Sequence, residues 1–198
     1  MMYRPFIVGM NIYLRGLERS DIEDPYFQWL NDREVTQFME SGNFPNTLED
    51  MESFFQSNSL NKDTVIFAII DSQTDKHIGN VKLGPINWIS RNSHMGIMIG
   101  DKASWGKGYG YECVKLIVDY AFNVLNLHKV MLGVVEQNKA ALKLYQKVGF
   151  TIEGICKEQF NLDGKYCDVL YMGLLKRDYL TTNGSICFDP DGIDFYVD

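Results

Sequence analysis

The stretch SWGKGYGYE, Ser104 to Glu112, sets Gly106, Gly108 and Gly110 at alternate positions between two apolar runs. Before it, MGIMIG has the composition of a strand. After it, Val114, Ile117, Val118, Ala121, Phe122 and Leu125 recur at the spacing of one helix face. A strand handed so abruptly to a helix commits this part of the chain to a sheet with a helix packed on it. Glycines at such a joint serve one of two ends. They permit tight turning and close helix–sheet packing, or they let an anion approach the backbone N–H groups that open the helix. Lys107, between the first two glycines, would add a positive charge to the second arrangement.

Two familiar phosphate motifs fail here by one residue each. A dinucleotide fingerprint needs its third glycine where Tyr111 stands, and Gly110 comes one place early. A phosphate-binding P-loop needs Ser or Thr after the lysine, and Lys107 is followed by Gly108. The looser anion nest and the packing reading both remain.

The rest of the chain alternates in period. FIVGMNIYLRGL reads as a first strand. ERSDIEDPYFQWLND turns helical, with Ser20 or Asp21 as cap and Ile22, Tyr26, Phe27 and Leu30 on one face. REVTQFME forms a short helix, and NTLEDMESFFQSNS another, with Thr47 as N-cap and Asp50 three residues on. TVIFAIID, HIGNVKLGPINW and SHMGIMIG read as strands. Gly108 to about Leu125 is the longest helix, KVMLGVV a buried strand, and NKAALKLYQKVG a helix ended by Gly149. FTIEGICKEQF and YCDVLYMGLL flank an Asp163-Gly164 hairpin turn. The order describes a mixed α/β (α+β) domain on a central sheet over residues 1–180, followed by a Gly- and Asp-rich tail, 181–198, read as an accessory strand or a loosely held end.

With 198 residues, one domain is the default. A formal net charge of -7 argues against nucleic acid as the main partner. No apolar stretch approaches the roughly 20 residues of a membrane span, and the first residues lack an apolar signal core. The four cysteines, Cys113, Cys156, Cys167 and Cys187, form no C-x-x-C pair, and His77, His94 and His128 are scattered. These features argue against a metal site and for a reducing cytoplasm.

A second block completes the pattern. NKAALKLYQKVGF matches N-x-x-A-x-x-x-Y-x-x-x-G-F at Asn138, Ala141, Tyr145, Gly149 and Phe150, about 30 residues after WGKGYG. Together, over Ile78 to Tyr179, the two blocks resemble the GNAT superfamily of acyl-CoA-dependent N-acetyltransferases. The likeness is to the branch with the ribosomal-protein alanine, spermidine and amino-sugar acetyltransferases. Trp105 departs from the Gln or Arg common at its place. The resemblance implies a mixed, mostly antiparallel sheet of about seven strands, flanked by helices and splayed at the coenzyme site. It implies acetyl-CoA as cosubstrate and no metal. Trp105, Gly106, Lys107, Gly108, Tyr109 and Gly110 would hold the coenzyme diphosphate. Ile97, Met98 and Ile99 would pair with the pantetheine arm as an added strand would. Asn138 would hold a pantetheine amide, cap its helix, or do both.

Acetyl transfer needs a neutral amine, a polarised thioester carbonyl and a proton for the leaving thiolate. The resemblance assigns the last to Tyr145; the plain alternative is a packed aromatic. Met98 or Ile99 N–H would polarise the carbonyl. Some relatives carry a Glu as base where this chain has Met95, with His94 beside it. His94 would replace that base or be a surface histidine, and a water chain to a carboxylate of the N-terminal helices would serve equally. Trp29, Leu30, Asn31 and Asp32 fall in the acceptor wall, unless Trp29 is core. ESGNFPNTLEDMES attracts a cationic amine or is a solvated face. The expected acceptors are, in order, a small amine or amino-sugar nucleotide, a protein N-terminal α-amine, and a polyamine. A homodimer is left open. The rivals are a non-catalytic acyl-CoA-binding module, against which intact Asn138 and Tyr145 speak, and a nucleotide-binding protein.

Overall fold

The structure is a computed structural model and describes residues 5–59 and 61–183. Eight strands form one sheet: β1 Ile7–Val8, β2 Ile12–Gly16, β3 Val65–Asp71, β4 His77–Asn87, β5 Asn92–Ile99, β6 Lys129–Val135, β7 Thr151–Leu162 and β8 Lys165–Leu175. Their order across the sheet is β1-β2-β3-β4-β5-β6-β8-β7. Every neighbouring pair is antiparallel except β5 and β6. The expected mixed, mostly antiparallel sheet is present. It has eight strands because the single N-terminal strand expected over Phe6 to Leu17 folds back on itself. Gly9 N donates to Ile12 O at 2.8 Å, and Ile7 pairs with Leu14 across the turn.

The helices are α1 Arg19–Glu23, α2 Tyr26–Leu30, α3 Arg33–Thr36, α4 Leu48–Ser59, α5 Tyr109–Asp119, α6 Lys139–Val148 and α7 Lys176–Asn183, and α5 runs on through a π-helical turn, Tyr120–Val124. The single helix expected after Glu18 is broken in two at Pro25, which has no N–H to continue the ladder. Its cap is Glu18, and the expected caps Ser20 and Asp21 lie inside α1. Asp21 is the third helical residue, and its carboxylate accepts from Glu18 N at 2.8 Å. At α4 the capping box stands as expected. Asp50 N donates to Thr47 Oγ1 at 3.1 Å, and Thr47 N donates to Asp50 Oδ2 at 2.9 Å. The β7–β8 turn has Asp163 at φ 50° and Gly164 at φ 84°, the positive pair that a two-residue hairpin turn demands. α7 continues past residue 180, and the tail from 184, with Cys187, lies outside the described residues.

The main core lies between the sheet and the pair α5 and α6. Val114, Ile117, Val118 and Ala121 of α5 meet Leu132, Val134, Leu170 and Met172 of the strands. On the opposite face Ile22, Trp29, Leu30 and Met51 close over Met98. A third cluster joins Val135 at the end of β6 to Phe160 and Cys167, with Phe38 packed against it. No helix among the described residues is long and apolar enough to cross a membrane.

Candidate active site

β5 and β6 start side by side and part. Asn92, Ser93 and His94 pair with Lys129, Val130 and Met131, and the ladder stops there. β6 stays paired with β8 along its whole length on its other edge. A gap therefore opens in mid-sheet between the second half of β5 and the second half of β6. Met98 O is turned toward β4: a Cβ on Gly79 would lie 2.2 Å from it. Gly100 N likewise donates to Ile78 O at 2.9 Å. Successive residues of an antiparallel strand present their backbone groups to alternate edges, so those of Ile97 and Ile99 face the gap. The backbone of Met98, expected to serve the thioester, is turned away from it.

The glycine loop stands at the open end of this gap. Trp105 donates its indole Nε1–H to Ile99 O at 2.7 Å, which ties the loop to the end of β5. This gives Trp105 a role that Gln or Arg would fill differently. Gly106 and Gly108 hold φ of 74° and 86°, and a Cβ on either would meet nothing within 4 Å. α5 begins after Gly108 without a side-chain cap. The backbone N–H groups from Gly106 to Tyr111 donate to nothing among the described residues. Six such donors at a helix start, with open space before Gly106 and Gly108, suit an anion. Lys107 is exposed beside them. Gly110 differs: a Cβ there would press on Leu144 Cδ1 at 3.1 Å, so this glycine lets α5 and α6 pack.

α6 brings Asn138 and Tyr145 to the same region. Asn138 caps the helix, its Oδ1 accepting from Ala141 N at 3.1 Å. Tyr145 is buried in the main core, its ring 5.9 Å from that of Phe150 in an edge contact. Its hydroxyl has no hydrogen-bond partner among the described residues. Burial, with the nearby Cys113, pushes the hydroxyl up to about 12.

On the other face, a cleft of about 510 Å³ opens between the segment after α3 and the end of β7, lined by Glu40, Asn43, Phe44, Gln159, Phe160 and Asn161. Because Phe160 packs with Val135, the cleft lies beside the end of the gap. Trp29 is core: it is 8% exposed, edge-on to His77 at 4.9 Å. Asn31 exchanges hydrogen bonds with Asn46. Asp32 caps α3 and pairs with Lys102 at 2.8 Å. Met95, where the resemblance would place a base, is buried in the main core, and His94 points to the opposite, exposed face. Glu112 in the first turn of α5, and Asn11 and Asp71, which bond to that turn from elsewhere in the chain, carry no local sequence signal.

A gapped sheet with an anion nest at its mouth and a cleft beside it suits transfer of a group carried on a phosphorylated arm. Comparison with known proteins agrees. Residues 11–151 match the acetyltransferase (GNAT) domain family. The spermidine N(1)-acetyltransferase of Vibrio cholerae is 32% identical over 173 residues, 87% of this chain and 98% of that one. An uncharacterized N-acetyltransferase, p20 of Bacillus licheniformis, is 32% identical over 168 residues, 84% of this chain and 93% of that one. A crystal structure of the Vibrio cholerae spermidine N-acetyltransferase in complex with CoA and spermine matches with a TM-score of 0.79 at 32% identity, covering 86% of this chain and 98% of that one. The chain belongs to the GNAT family and is an N-acetyltransferase.

Proposed function

We propose that the protein moves an acetyl group from acetyl-CoA to a primary amine of a small polycation of the polyamine class. The observation that carries the coenzyme half is the row of unpaired N–H groups from Gly106 to Tyr111, in front of which Gly106 and Gly108 leave open space. A diphosphate fits that row, with Lys107 as counter-charge. Asn138, through the amide hydrogens its capping bond leaves free, and the edge groups of Ile97 and Ile99 suit the amides of the pantetheine arm. Bound acetyl-CoA supplies an activated thioester. An N–H of Ile97 or Ile99 polarises its carbonyl, and the Tyr145 hydroxyl gives its proton to the departing thiolate. The reading needs no metal.

For the acceptor, the polyamine moves ahead of the amino-sugar nucleotide that the sequence placed first. The cleft offers the Glu40 carboxylate, the amide oxygens of Asn43 and Gln159, and a Phe44 ring that is 78% exposed. That set suits an alkylammonium group. Among the described residues no Lys or Arg lines the cleft to receive a nucleotide phosphate. The likeness to the Vibrio cholerae spermidine N(1)-acetyltransferase over nearly its whole length supports the same choice. The cytoplasm suits Cys113, Cys156 and Cys167, which stand as free thiols.

The test is thiol release from acetyl-CoA with spermidine, an amino-sugar nucleotide and a peptide α-amine, beside calorimetry of coenzyme binding to wild type and Gly108→Asp. Spermidine should be turned over fastest, and Gly108→Asp should lose coenzyme binding while still folded. Turnover of the nucleotide or peptide instead would redirect the acceptor assignment. Coenzyme binding without thiol release from any amine would favour the non-catalytic module. Unchanged affinity in folded Gly108→Asp would remove the loop assignment.

A further inference from the structure

The first turn of α5 makes two carboxylate contacts that acetyl transfer does not use. Tyr109 donates its hydroxyl to Asp71 Oδ2 at 2.7 Å. Asp71 ends β3 and is 7% exposed. Its Oδ1 accepts from Gln73 N at 2.8 Å and Thr74 N at 3.1 Å, within the β3–β4 turn. Three residues along α5, on the same helix face, Glu112 accepts from Asn11 N at 2.8 Å, Asn11 Nδ2 at 3.0 Å and Ile12 N at 3.3 Å, in the β1–β2 turn. The two turns are themselves joined, since Ser72 N donates to Asn11 O at 2.9 Å. The bonds close a ring that leaves α5 at Tyr109, crosses both β-turns and returns to α5 at Glu112. Gly9 permits the closure, because a Cβ there would lie 2.4 Å from Glu112 Oε1.

By charge alone these carboxylates oppose the ligand. Coulomb's law makes a negative group near a diphosphate site repulsive. Each, however, has its oxygens turned to donors of the chain itself, and the Tyr109 hydroxyl, first among those donors, holds the Asp71 carboxyl below the usual carboxylate range. What such a residue supplies is position. A nest binds tightly only if its N–H groups already point at one place, since otherwise binding must order them. We propose that Asp71 is a positioning residue for the coenzyme. Through Tyr109 it holds the opening turn of α5 against the β3–β4 turn, so that the N–H row is aligned before the diphosphate arrives. The proposal rests on the coenzyme-loop reading above.

Charge and position predict opposite signs, which makes the proposal testable by calorimetry of CoA binding to wild type, Asp71→Asn and Tyr109→Phe. Asp71→Asn removes a negative charge, so electrostatics alone would tighten binding. Tyr109→Phe leaves the charge and the ring in place and removes only the bond. Both variants should weaken CoA binding about threefold to tenfold, a fraction of what one charge-assisted hydrogen bond can supply. In steady state Asp71→Asn should raise KM for acetyl-CoA while kcat at saturation stays within about twofold, because the alignment serves ground state and transition state alike. Equal or tighter CoA binding by Tyr109→Phe overturns the proposal, as does a loss in Asp71→Asn confined to kcat. If Asp71→Asn does not fold, Tyr109→Phe decides alone. A wild type that binds no CoA overturns the coenzyme reading and this proposal with it. A wild type that binds while both variants match it overturns only the positioning role.

Discussion

Burial on α6 pushes the Tyr145 hydroxyl up to about 12, so the phenol stays protonated across the whole range in which an amine acceptor is usefully neutral. An acid works only while it holds its proton, and a raised pKa moves the falling limb of the rate profile to higher pH. Tyr145 should therefore place any decline in kcat that it causes above the ordinary tyrosine range near pH 10. Tyr145→Phe keeps the edge contact with Phe150 and removes only the hydroxyl, which has no partner among the described residues whose loss would disturb the fold. The variant should lose kcat by at least about tenfold, the lower end of what a general acid contributes being about a hundredfold, with acetyl-CoA affinity nearly unchanged. Full kcat in Tyr145→Phe with chemistry rate-limiting would leave Tyr145 as a packed aromatic and pass the proton to water or to the acceptor.

Between elements, a close contact near the site joins the end of β5 to α2. A Cβ on Gly100 would lie 2.0 Å from Trp29 Cδ2 and 2.3 Å from Cε3. Trp29 is itself buried against Met98 and Ile22, so its ring has no free space to enter. Gly100→Ala must push α2 outward or shift the end of β5, and overpacking of this kind costs about 1–3 kcal/mol. Urea melts should show that loss. KM for acetyl-CoA should rise as well, because Ile99 and the Trp105 bond to its carbonyl sit next to the displaced residue. A Gly100→Ala protein as stable as wild type would mean that α2 is not seated on β5 as described. The loop glycines form a contrast: Gly106 and Gly108 have open space in front of them, and substitution there strains the backbone through its positive φ.

At the scale of the molecule, the net charge of -7 acts oppositely on the anionic coenzyme and on the polycationic acceptor proposed above. It repels the first and would draw in the second, and salt screens both effects over a Debye length of about 10 Å at 0.1 M. Raising ionic strength from about 0.05 to 0.5 M, a range over which that length shrinks severalfold, should raise KM for spermidine several-fold. KM for acetyl-CoA should hold steady or fall. Initial-rate measurements varying each substrate in turn would check both signs. A KM for spermidine indifferent to salt would argue for a neutral or anionic acceptor.

Much of this was readable in the chain because its causes are local. Period two and period 3.6 located β3 to β6 and α4 to α6, and Thr47 with Asp50 marked the start of α4 through atoms three residues apart. Asp163-Gly164 set the β7–β8 turn because few residue pairs accept two positive φ angles. Each of the two blocks that identify the family is a contiguous stretch, which is why Asn138, Tyr145 and the glycine loop stand out in the sequence. The N-terminal elements are shorter than their patterns predict, because a strand pattern does not show where it folds back and a helix pattern runs through Pro25 unless the missing N–H is counted. The division of labour among the glycines needed tertiary structure. Only the approach of Leu144 shows that Gly110 serves packing while Gly106 and Gly108 stay open. The edge that Ile97 and Ile99 present, and Met98 does not, depends on where the β5–β6 ladder stops. The Asp71–Tyr109 and Asn11–Glu112 bonds join residues 38 and 101 positions apart. Periodicity and capping report forces within a few residues, whereas these contacts exist only once the sheet has brought distant turns to the foot of α5.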